Sequence, residues 1–138
     1  MALTRSYRAP VLEVRGRRFE WGAKTYLMAI INATPDSFSG DGIAGDLATT
    51  VALARRFEAE GADIVDIGGE SSRPGATPLS PAGEVARVVP AIAAVRAQTK
   101  LPISIDTCHA RVAEAALDAG ADMVNDIWGL RGDPEMSR

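Results

Sequence analysis

The stretch Asp63-Ile-Val-Asp-Ile67 is a short run in which three of five residues are apolar and β-branched, and it precedes a pair of glycines. A run of this kind predicts a strand buried on both faces, as in a parallel sheet. Tyr26-Leu-Met-Ala-Ile-Ile31 before it and Pro102-Ile-Ser-Ile-Asp106 after it share the pattern, and Asp122-Met-Val-Asn125 follows as a fourth run. The sequence therefore predicts four strands of one parallel sheet.

Helical patterns separate these strands. Apolar residues recur at helical spacing through Asp46 to Glu60, a second helix is predicted from Ser80-Pro81 to about Gln98, and a third from Ala110 to Ala119. Single helices between strands imply right-handed crossovers. Ahead of them, Val11 to Glu20 alternates apolar and polar residues around a glycine, which predicts a β-hairpin.

The predicted fold is larger than the chain. A closed parallel barrel needs eight strands and about 250 residues, whereas this chain has 138. Asp133-Pro134-Glu135 is typical of the N-cap and first turn of a fourth helix. We therefore expect residues 1–138 to be the N-terminal half of one α/β domain, a parallel (β/α)8 TIM barrel, with the hairpin, four strands and three helices, truncated before helix 4.

Charge and composition narrow the range of partners. A net charge of -3 gives no basic field, so neither a nucleic acid nor an anionic membrane is expected as the main partner. No stretch approaches the roughly 18 apolar residues of a membrane helix. The single cysteine, Cys108, is typical of a reducing compartment, and we expect a cytoplasmic protein.

Polar residues follow all four predicted strands where each one ends. In parallel α/β folds these ends converge on one pocket, and buried polar groups cost free energy unless they are paired. Four such positions therefore favour a functional site over chance. They are Asn32, then Glu70 with Ser71, then Asp106, and finally Asn125 with Asp126.

The first two strands are followed by loops longer than the usual two to six residues of a βα connection. They run from Asn32 to Gly42 and from Gly68 to Pro78, and both are rich in Gly, Ser and Pro. The second loop contains Arg73, whose guanidinium, with nearby hydroxyl and backbone N–H groups, suits a phosphate. A flexible turn with a solvated arginine explains the same composition equally well.

Asp106 and Asn125 together suit a heterocyclic ligand. A carboxylate accepts two hydrogen bonds from adjacent N–H groups of an aminopyrimidine ring, and an asparagine offers both a donor and an acceptor. The pair could therefore read the edge of a pterin. Asp106 could instead cap the following helix, which is predicted to begin near Cys108.

Two long motifs carry a family resemblance. Met28-Ala-Ile-Ile-Asn-Ala-Thr-Pro-Asp-Ser-Phe-Ser39 resembles the first signature of dihydropteroate synthases, and Asp63-Ile-Val-Asp-Ile-Gly-Gly-Glu-Ser-Ser-Arg-Pro-Gly75 resembles the second. Ile103-Ser-Ile-Asp-Thr107 and Val124-Asn-Asp-Ile127 are similar to the next two strand ends of the family. The resemblance covers residues 11 to 138.

The resemblance implies a role for each matching residue. Asn32 would bind the Mg²⁺ that carries the diphosphate of the pterin substrate, and Asp36 would help to organise the closed catalytic complex. The second loop would contact p-aminobenzoate and the diphosphate, where sulfonamides compete, with Arg73 also catalytic. The residues implied for this loop are Ser71, Ser72, Arg73 and Pro74, and those implied for the pterin pocket are Asp106, Asn125 and Ile127.

The implied reaction condenses a pterin diphosphate with p-aminobenzoate in folate synthesis, and the family's enzymes are usually homodimers. Ser72 stands where the family commonly has Thr, and Ser39-Gly-Asp-Gly42 where many members have Ser-Asp-Gly-Gly. The family's later Asp, its Lys loop and its Arg-x-His motif have no positions in this chain. We therefore expect residues 1 to 138 alone to lack synthase activity.

Other readings remain open. The chain could be a pterin-binding paralogue without catalysis, or the methyltetrahydrofolate-binding barrel of a corrinoid methyltransferase. Those relatives would share the strand ends that read the pterin, but they would not be expected to keep Asp36-Ser-Phe38 and Ser72-Arg-Pro74. An unrelated half-barrel that binds phosphate would leave both long motifs unexplained.

Overall fold

The sheet at the centre of the molecule has four parallel strands. In the computed structural model, which describes residues 10–33, 42–69 and 79–138, side chains of residues 42–46 excepted, a hairpin of β1 (Val11–Val14) and β2 (Arg17–Glu20) comes first. The remaining elements are β3 (Met28–Asn32), α1 (Gly42–Ala59), β4 (Ile64–Gly68), α2 (Pro81–Arg96), β5 (Ile103–Asp106), α3 (Ala110–Asp118) and β6 (Met123–Asn125).

The strand order identifies the way in which the sheet is wound. Strands β3, β4, β5 and β6 lie side by side in sequence order, and every pair is parallel. A doubly wound sheet would reverse direction at a switch point, whereas a barrel continues in one direction. The described strands therefore have the arrangement of consecutive βα units of a barrel, as the sequence predicted.

One face of the sheet and the three helices form the hydrophobic core. Alternate strand residues point to this face because successive side chains of a strand lie on opposite sides. Helices α1 and α2 pack together, as do α2 and α3. The buried strand residues of this face are Ile31, Val65, Ile67, Ile103 and Ile105, and their helical partners include Ala54, Val88, Ile92, Val95, Val112 and Ala116.

The prediction that all strands are buried on both faces is wrong for the two edge strands of the described sheet, β3 and also β6, in which Val124 is 37% exposed. Met28 and Ile30 are 42% and 62% exposed, while Ile31, which follows Ile30, is 1% exposed. Among the described residues β3 is an edge strand, and these two side chains lie on the face away from the helices. The apolar run predicted the strand correctly, but it did not predict how much of each face of the strand is buried. Strand β4, in contrast, is buried along its whole length.

The helix signals in the sequence are mostly confirmed. The Ser80 side chain accepts a hydrogen bond from the Gly83 N–H at 3.1 Å, as an N-cap should. Gly120, just past α3, has a φ of 111°, which few residues other than glycine adopt. Helix α1, however, begins at Gly42 rather than Asp46. Pro90 would be expected to kink or split the second helix, but α2 runs without a break from Pro81 to Arg96.

The predicted fourth helix start is a turn. Residues 134–137 form a turn rather than a helix. Asp133 nevertheless makes the expected contact, because its Oδ1 accepts the N–H of Glu135 at 3.0 Å. Its Oδ2 accepts the N–H of Ala110 at 2.9 Å, so Asp133 satisfies the first turn of α3 as well.

Candidate functional site at the carboxyl ends of the strands

The strand register places three of the predicted site residues in one row. Asn32 pairs with Gly68, Gly68 with Asp106, and Asp106 with Asn125. Neighbouring strands are about 4.8 Å apart, and residues in register on parallel strands point to the same face. Asn32, Asp106 and Asn125 therefore lie along the carboxyl edge of the sheet, on the face away from the helices.

Gly68 leaves room for Asp106 in this row. A Cβ atom on Gly68 would lie 3.6 Å from the Cβ of Asp106 and 3.7 Å from its Oδ2. The Asp106 carboxylate thus lies over the glycine, toward Asn32 on the far side. A larger residue at position 68 would separate the two polar side chains, whereas glycine leaves the space between them open.

The half-buried carboxyl group of Asp106 is in an anionic environment. Burial raises the pKa of Asp106, and the negative charges of Asp66, Glu84 and Asp126 raise it further. A bound cation, or a ligand that develops positive charge, would relieve this repulsion. The chemistry that the row favours is therefore the binding of hydrogen-bond donors or of positive charge.

The alternative that Asp106 caps the next helix is wrong. The Ala110 N–H at the start of α3 donates to Asp133, and the His109 N–H donates to Thr107 Oγ1 at 3.2 Å. The N-cap residue of α3 is His109, without a side-chain cap. The Asp106 carboxylate is thus not used to begin the helix.

Asp66, which the sequence predicted only as part of a strand, contacts this row through Asn125. It is 2% exposed, in the middle of β4, and its register partners are Ile30 and Ser104. Its Oδ2 accepts a hydrogen bond from Asn125 Nδ2 at 3.2 Å. The signal in the sequence was a carboxylate inside an apolar run, which is costly to bury without a reason.

Burial raises the pKa of Asp66, and the hydrogen bond from Asn125 opposes the rise only in part. The Ser104 hydroxyl lies close enough to favour the ionised form as well, although it falls outside hydrogen-bonding geometry. Within the described part of the chain, Asp66 Oδ1 and Ser104 Oγ are buried side-chain atoms without a hydrogen-bond partner. A second layer of polar groups therefore lies directly below the row.

The two long loops begin at this edge, but most of their predicted residues are outside the described ranges. These are Asp36, Ser71, Ser72, Arg73 and Pro74. The described residues that flank the loops are fixed to the sheet and to α2. The Ala33 N–H donates to Gly68 O at 2.8 Å, and Arg87 Nη1 donates to Gly69 O at 3.3 Å.

Ile127, the last predicted pocket residue, follows β6 and is 71% exposed. The turn that contains it is fixed by Asp126, whose carboxylate accepts the N–H groups of Trp128 at 2.9 Å and Leu130 at 2.7 Å. Ile127 thus lies just beyond the polar row, and its contact with a pterin stays a prediction.

The only histidine of the chain lies behind the row. His109 Nδ1 lies 2.9 Å from Glu84 Oε2, and Glu84 is 1% exposed in the first turn of α2. Glu84 is one of the carboxylates that raise the pKa of Asp106. The pair connects the start of α3 to the first turn of α2, the two helices that follow and precede β5.

Comparison with known sequences identifies relatives along most of the chain. Residues 28–138 match the family model described as pterin binding enzyme. A dihydropteroate synthase of Clostridium beijerinckii is 44% identical over 127 residues, which are 92% of this chain and 47% of that protein. A dihydropteroate synthase of Synechocystis is 49% identical over 130 residues, 94% of this chain and 45% of that protein.

Solved structures are similar in fold as well as in sequence. A dihydropteroate synthase of Xanthomonas albilineans with 4-aminobenzoic acid has a TM-score of 0.80 and 46% identity, over 89% of this chain and 45% of that one. A Clostridium difficile dihydropteroate synthase in the presence of pteroic acid has a TM-score of 0.82 and 47% identity, over 86% and 45%. The chain thus spans about half the length of these relatives.

Proposed function

The chain belongs to the family of pterin-binding enzymes, and we propose that residues 1–138 form the N-terminal half of a single dihydropteroate synthase barrel and carry half of its active site. The observation that supports this most strongly is the row of Asn32, Asp106 and Asn125 at the carboxyl edge of the sheet. Active sites of parallel barrels lie at this edge. The proposed substrates are a pterin diphosphate and p-aminobenzoate, and the similar structures with 4-aminobenzoic acid and with pteroic acid support the pterin and the p-aminobenzoate parts of this proposal.

In the proposed site the pterin lies against Asp106, Asn125 and Ile127. Asp106 accepts hydrogen bonds from ring N–H groups, and Asn125 adds a donor and an acceptor beside it. Ile127 offers an apolar contact to the flat ring. The anionic surroundings of Asp106 favour a pterin whose exocyclic carbon becomes positive as its bond to the diphosphate breaks.

Asn32 is the residue that would hold Mg²⁺. Its amide oxygen is a hard ligand at the mouth of the sheet, and Mg²⁺ commonly takes one or two protein oxygens together with substrate phosphates. Among the described residues no group of three or more His, Cys, Asp or Glu side chains could hold a metal. Bound at Asn32, the ion would neutralise charge on the leaving diphosphate.

The second loop would bind the other substrate. We assign Ser71, Ser72, Arg73 and Pro74 to p-aminobenzoate and the diphosphate, with Arg73 stabilising the anion by charge and Asp36 helping to organise the closed complex. Sulfonamides would compete at this position. Since Gly69 is held by Arg87, the loop leaves the sheet beside Asp106.

The proposed reaction is a displacement at the exocyclic CH2 of the pterin. The amine nitrogen of p-aminobenzoate forms the new C–N bond, the C–O bond to the diphosphate breaks with its electron pair, and the amine loses one proton. No protein nucleophile is needed, because both substrates react directly. The chain's residues would orient the two reactants and stabilise charge.

For the whole enzyme we expect a homodimer and a cytoplasmic location. For residues 1–138 alone we expect no synthase activity, because the Lys loop, the later Asp and the Arg-x-His motif are needed for turnover. Among the described residues, no helix is long and apolar enough to cross a membrane.

The proposal is tested by titrating the chain with the pterin diphosphate in the presence of Mg²⁺ and measuring heat or pterin fluorescence. Asp106→Ala should weaken binding about 10- to 100-fold, since hydrogen bonds to a charged group are worth about 1.5–3 kcal/mol. Asp118→Ala, an exposed acid at the end of α3, removes the same charge away from the row and should bind as the unaltered chain does.

Two results would contradict the proposal. One is equal affinity of the Asp106→Ala variant and the unaltered chain, which would show that the pterin does not bind at this edge. The other is no binding by the unaltered chain at ligand concentrations of several millimolar, which would mean that residues 1–138 do not carry half of the site.

A further inference from the structure

The buried carboxyl group of Asp66 is not explained by stability. It is 2% exposed on the face of β4 away from the helices, and within the described ranges its Oδ1 and the nearby Ser104 Oγ have no hydrogen-bond partner. A buried polar atom without a partner costs about 1–3 kcal/mol. An apolar residue at this position would make the chain at least as stable.

The hydrogen bond that Asp66 accepts from Asn125 crosses the sheet. It joins β4 to Asn125 on β6 and passes over β5, where the intervening residue is Ser104. A small side chain at position 104 allows the two partners to meet at 3.2 Å. The contact therefore depends on three adjacent strands and not on any local turn.

The bond determines which way the Asn125 amide faces. An asparagine amide has two N–H donors on one side and an oxygen on the other, and the two ends have nearly the same shape. Because a carboxylate only accepts, it holds the nitrogen of Asn125 and leaves the oxygen and the second N–H for a ligand. Without this partner the amide could rotate by about 180° and reverse its pattern of hydrogen bonds.

We propose that Asp66 is a positioning residue that fixes the side-chain amide of Asn125, and thereby sets the order of acceptors and donors that Asn125 and Asp106 present to a pterin. The identity of the ligand rests on the function proposed above. The hydrogen bond between the two side chains does not, because it is present in the protein without a ligand.

The chain is well suited to a direct test of the amide. It contains two asparagines, Asn32 and Asn125, and one glutamine, Gln98, so a ¹⁵N-labelled sample shows only three side-chain NH2 groups. Of these three side chains, Asn125 alone is half-buried. In the unaltered chain one of its amide protons should exchange with water at least about 10-fold more slowly than those of Asn32 and Gln98, and Asp66→Ala should abolish this difference.

Pterin binding provides the second arm of the experiment. Asp66→Ala should weaken the binding of the pterin diphosphate about 10-fold, with an unchanged or higher midpoint of urea unfolding. Asp66→Asn keeps an acceptor oxygen and should bind within about threefold of the unaltered chain. Asp118→Ala is the matched control, because it removes an exposed carboxylate at the end of α3, away from the row, and it should leave the affinity and the Asn125 signals unchanged.

The outcomes separate the two proposals. An Asn125 amide that exchanges equally fast in the unaltered chain and in Asp66→Ala overturns the positioning role, whether or not a pterin binds. Affinity lost in proportion to stability in both Asp66 variants overturns it too, because that is the result for a merely structural residue. If no form of the chain binds the pterin, the function proposed above is wrong, and the amide signals alone decide the role of Asp66.

Discussion

Carboxylates at the two ends of the parallel sheet differ in their hydrogen bonding and in the direction of their pKa shifts. At the amino end, Asp63 and Asp122 come immediately before β4 and β6, and both are paired. Asp63 accepts from Lys24 Nζ at 2.8 Å and from the Leu27 N–H at 2.9 Å. At the carboxyl end, Asp66 and Asp106 have raised pKa values, and Asp66 Oδ1 is unpaired within the described ranges.

Arg96 makes several side-chain hydrogen bonds at the amino end of the sheet. Its guanidinium donates to Asp122 Oδ2 at 3.0 Å, to Thr99 O at 2.6 Å and to Leu101 O at 2.7 Å. Asp122 Oδ2 also accepts the Ile103 N–H at 2.9 Å. These bonds tie the end of α2 to the starts of β5 and β6, so this end contributes stability.

The difference follows from the geometry of βα units. Residues at the amino end can be chosen for stability because the long loops and the ligand are at the other end. A polar group that is to bind a ligand at the carboxyl end must keep donors or acceptors that no other protein group uses. Such unpaired buried groups lower the stability of the protein when no ligand is bound. Asp63 and Asp122 therefore contribute to the stability of the fold, whereas Asp66 and Asp106 are held in surroundings that disfavour their charge.

The largest effect is expected from breaking the amino-end network. Arg96→Ala should lower the free energy of unfolding by about 3 kcal/mol, because it removes one donor from the part-buried Asp122 carboxylate and the side-chain donors of three backbone carbonyls, those of Thr99, Leu101 and Gly120. Urea unfolding measures the change. Arg18→Ala removes an arginine from an exposed ion pair with Glu20 and should cost less than about 0.5 kcal/mol. If both variants lowered the free energy of unfolding equally, the Arg96 network would contribute no more than an exposed ion pair, and the prediction would be wrong.

A smaller loss that depends on pH is expected at Asp63. Although burial alone would raise it, the hydrogen bonds from Lys24 and the Leu27 N–H lower the pKa of Asp63 below its ordinary value of 3.8. The stabilisation is therefore complete above that value and is lost as the pH falls through the lowered pKa. Asp63→Asn should cost about 1 kcal/mol at pH 7, and less as the pH falls below 3.8. A cost that is independent of pH would show that the ionised form plays no part.

The smallest effect has the opposite sign. The raised pKa of Asp106 means that the folded chain binds its proton more tightly than the unfolded chain, so ionisation destabilises the fold as the pH rises above about 3.8. Asp106→Asn should therefore raise the free energy of unfolding at pH 7 by up to about 1 kcal/mol, a gain limited by the solvent that reaches this half-buried group. The gain should vanish at low pH. Destabilisation at pH 7 would make Asp106 part of the scaffold.

Much of this contrast could be predicted from particular residues. The two Gly-Ala-Asp sequences that begin at Gly61 and Gly120 marked the starts of β4 and β6, because glycine ends a helix and the next strand follows directly. The alternation of strands and helices gave the strand order. The row of Asn32, Asp106 and Asn125 followed, since parallel strands end at the same edge.

The rest depended on contacts between residues far apart in the chain. Asp66 and Asn125 are 59 positions apart, and no local pattern reveals that a carboxylate and an amide will meet over an intervening serine. The capping alternative for Asp106 had a sound local argument, but it failed because Asp133 reaches Ala110 from 23 positions away. The exposure of Ile30 was equally hidden, since an apolar run does not show what covers each face.

The sequence by itself determined the elements, their order and the edge at which polar side chains gather, because periodicity, glycine conformation and strand direction are properties of short segments. Only the tertiary structure decided which of those side chains are satisfied and which are left available. Hydrogen-bond pairing across a sheet depends on register and on the side chains of neighbouring strands, and a linear pattern contains neither.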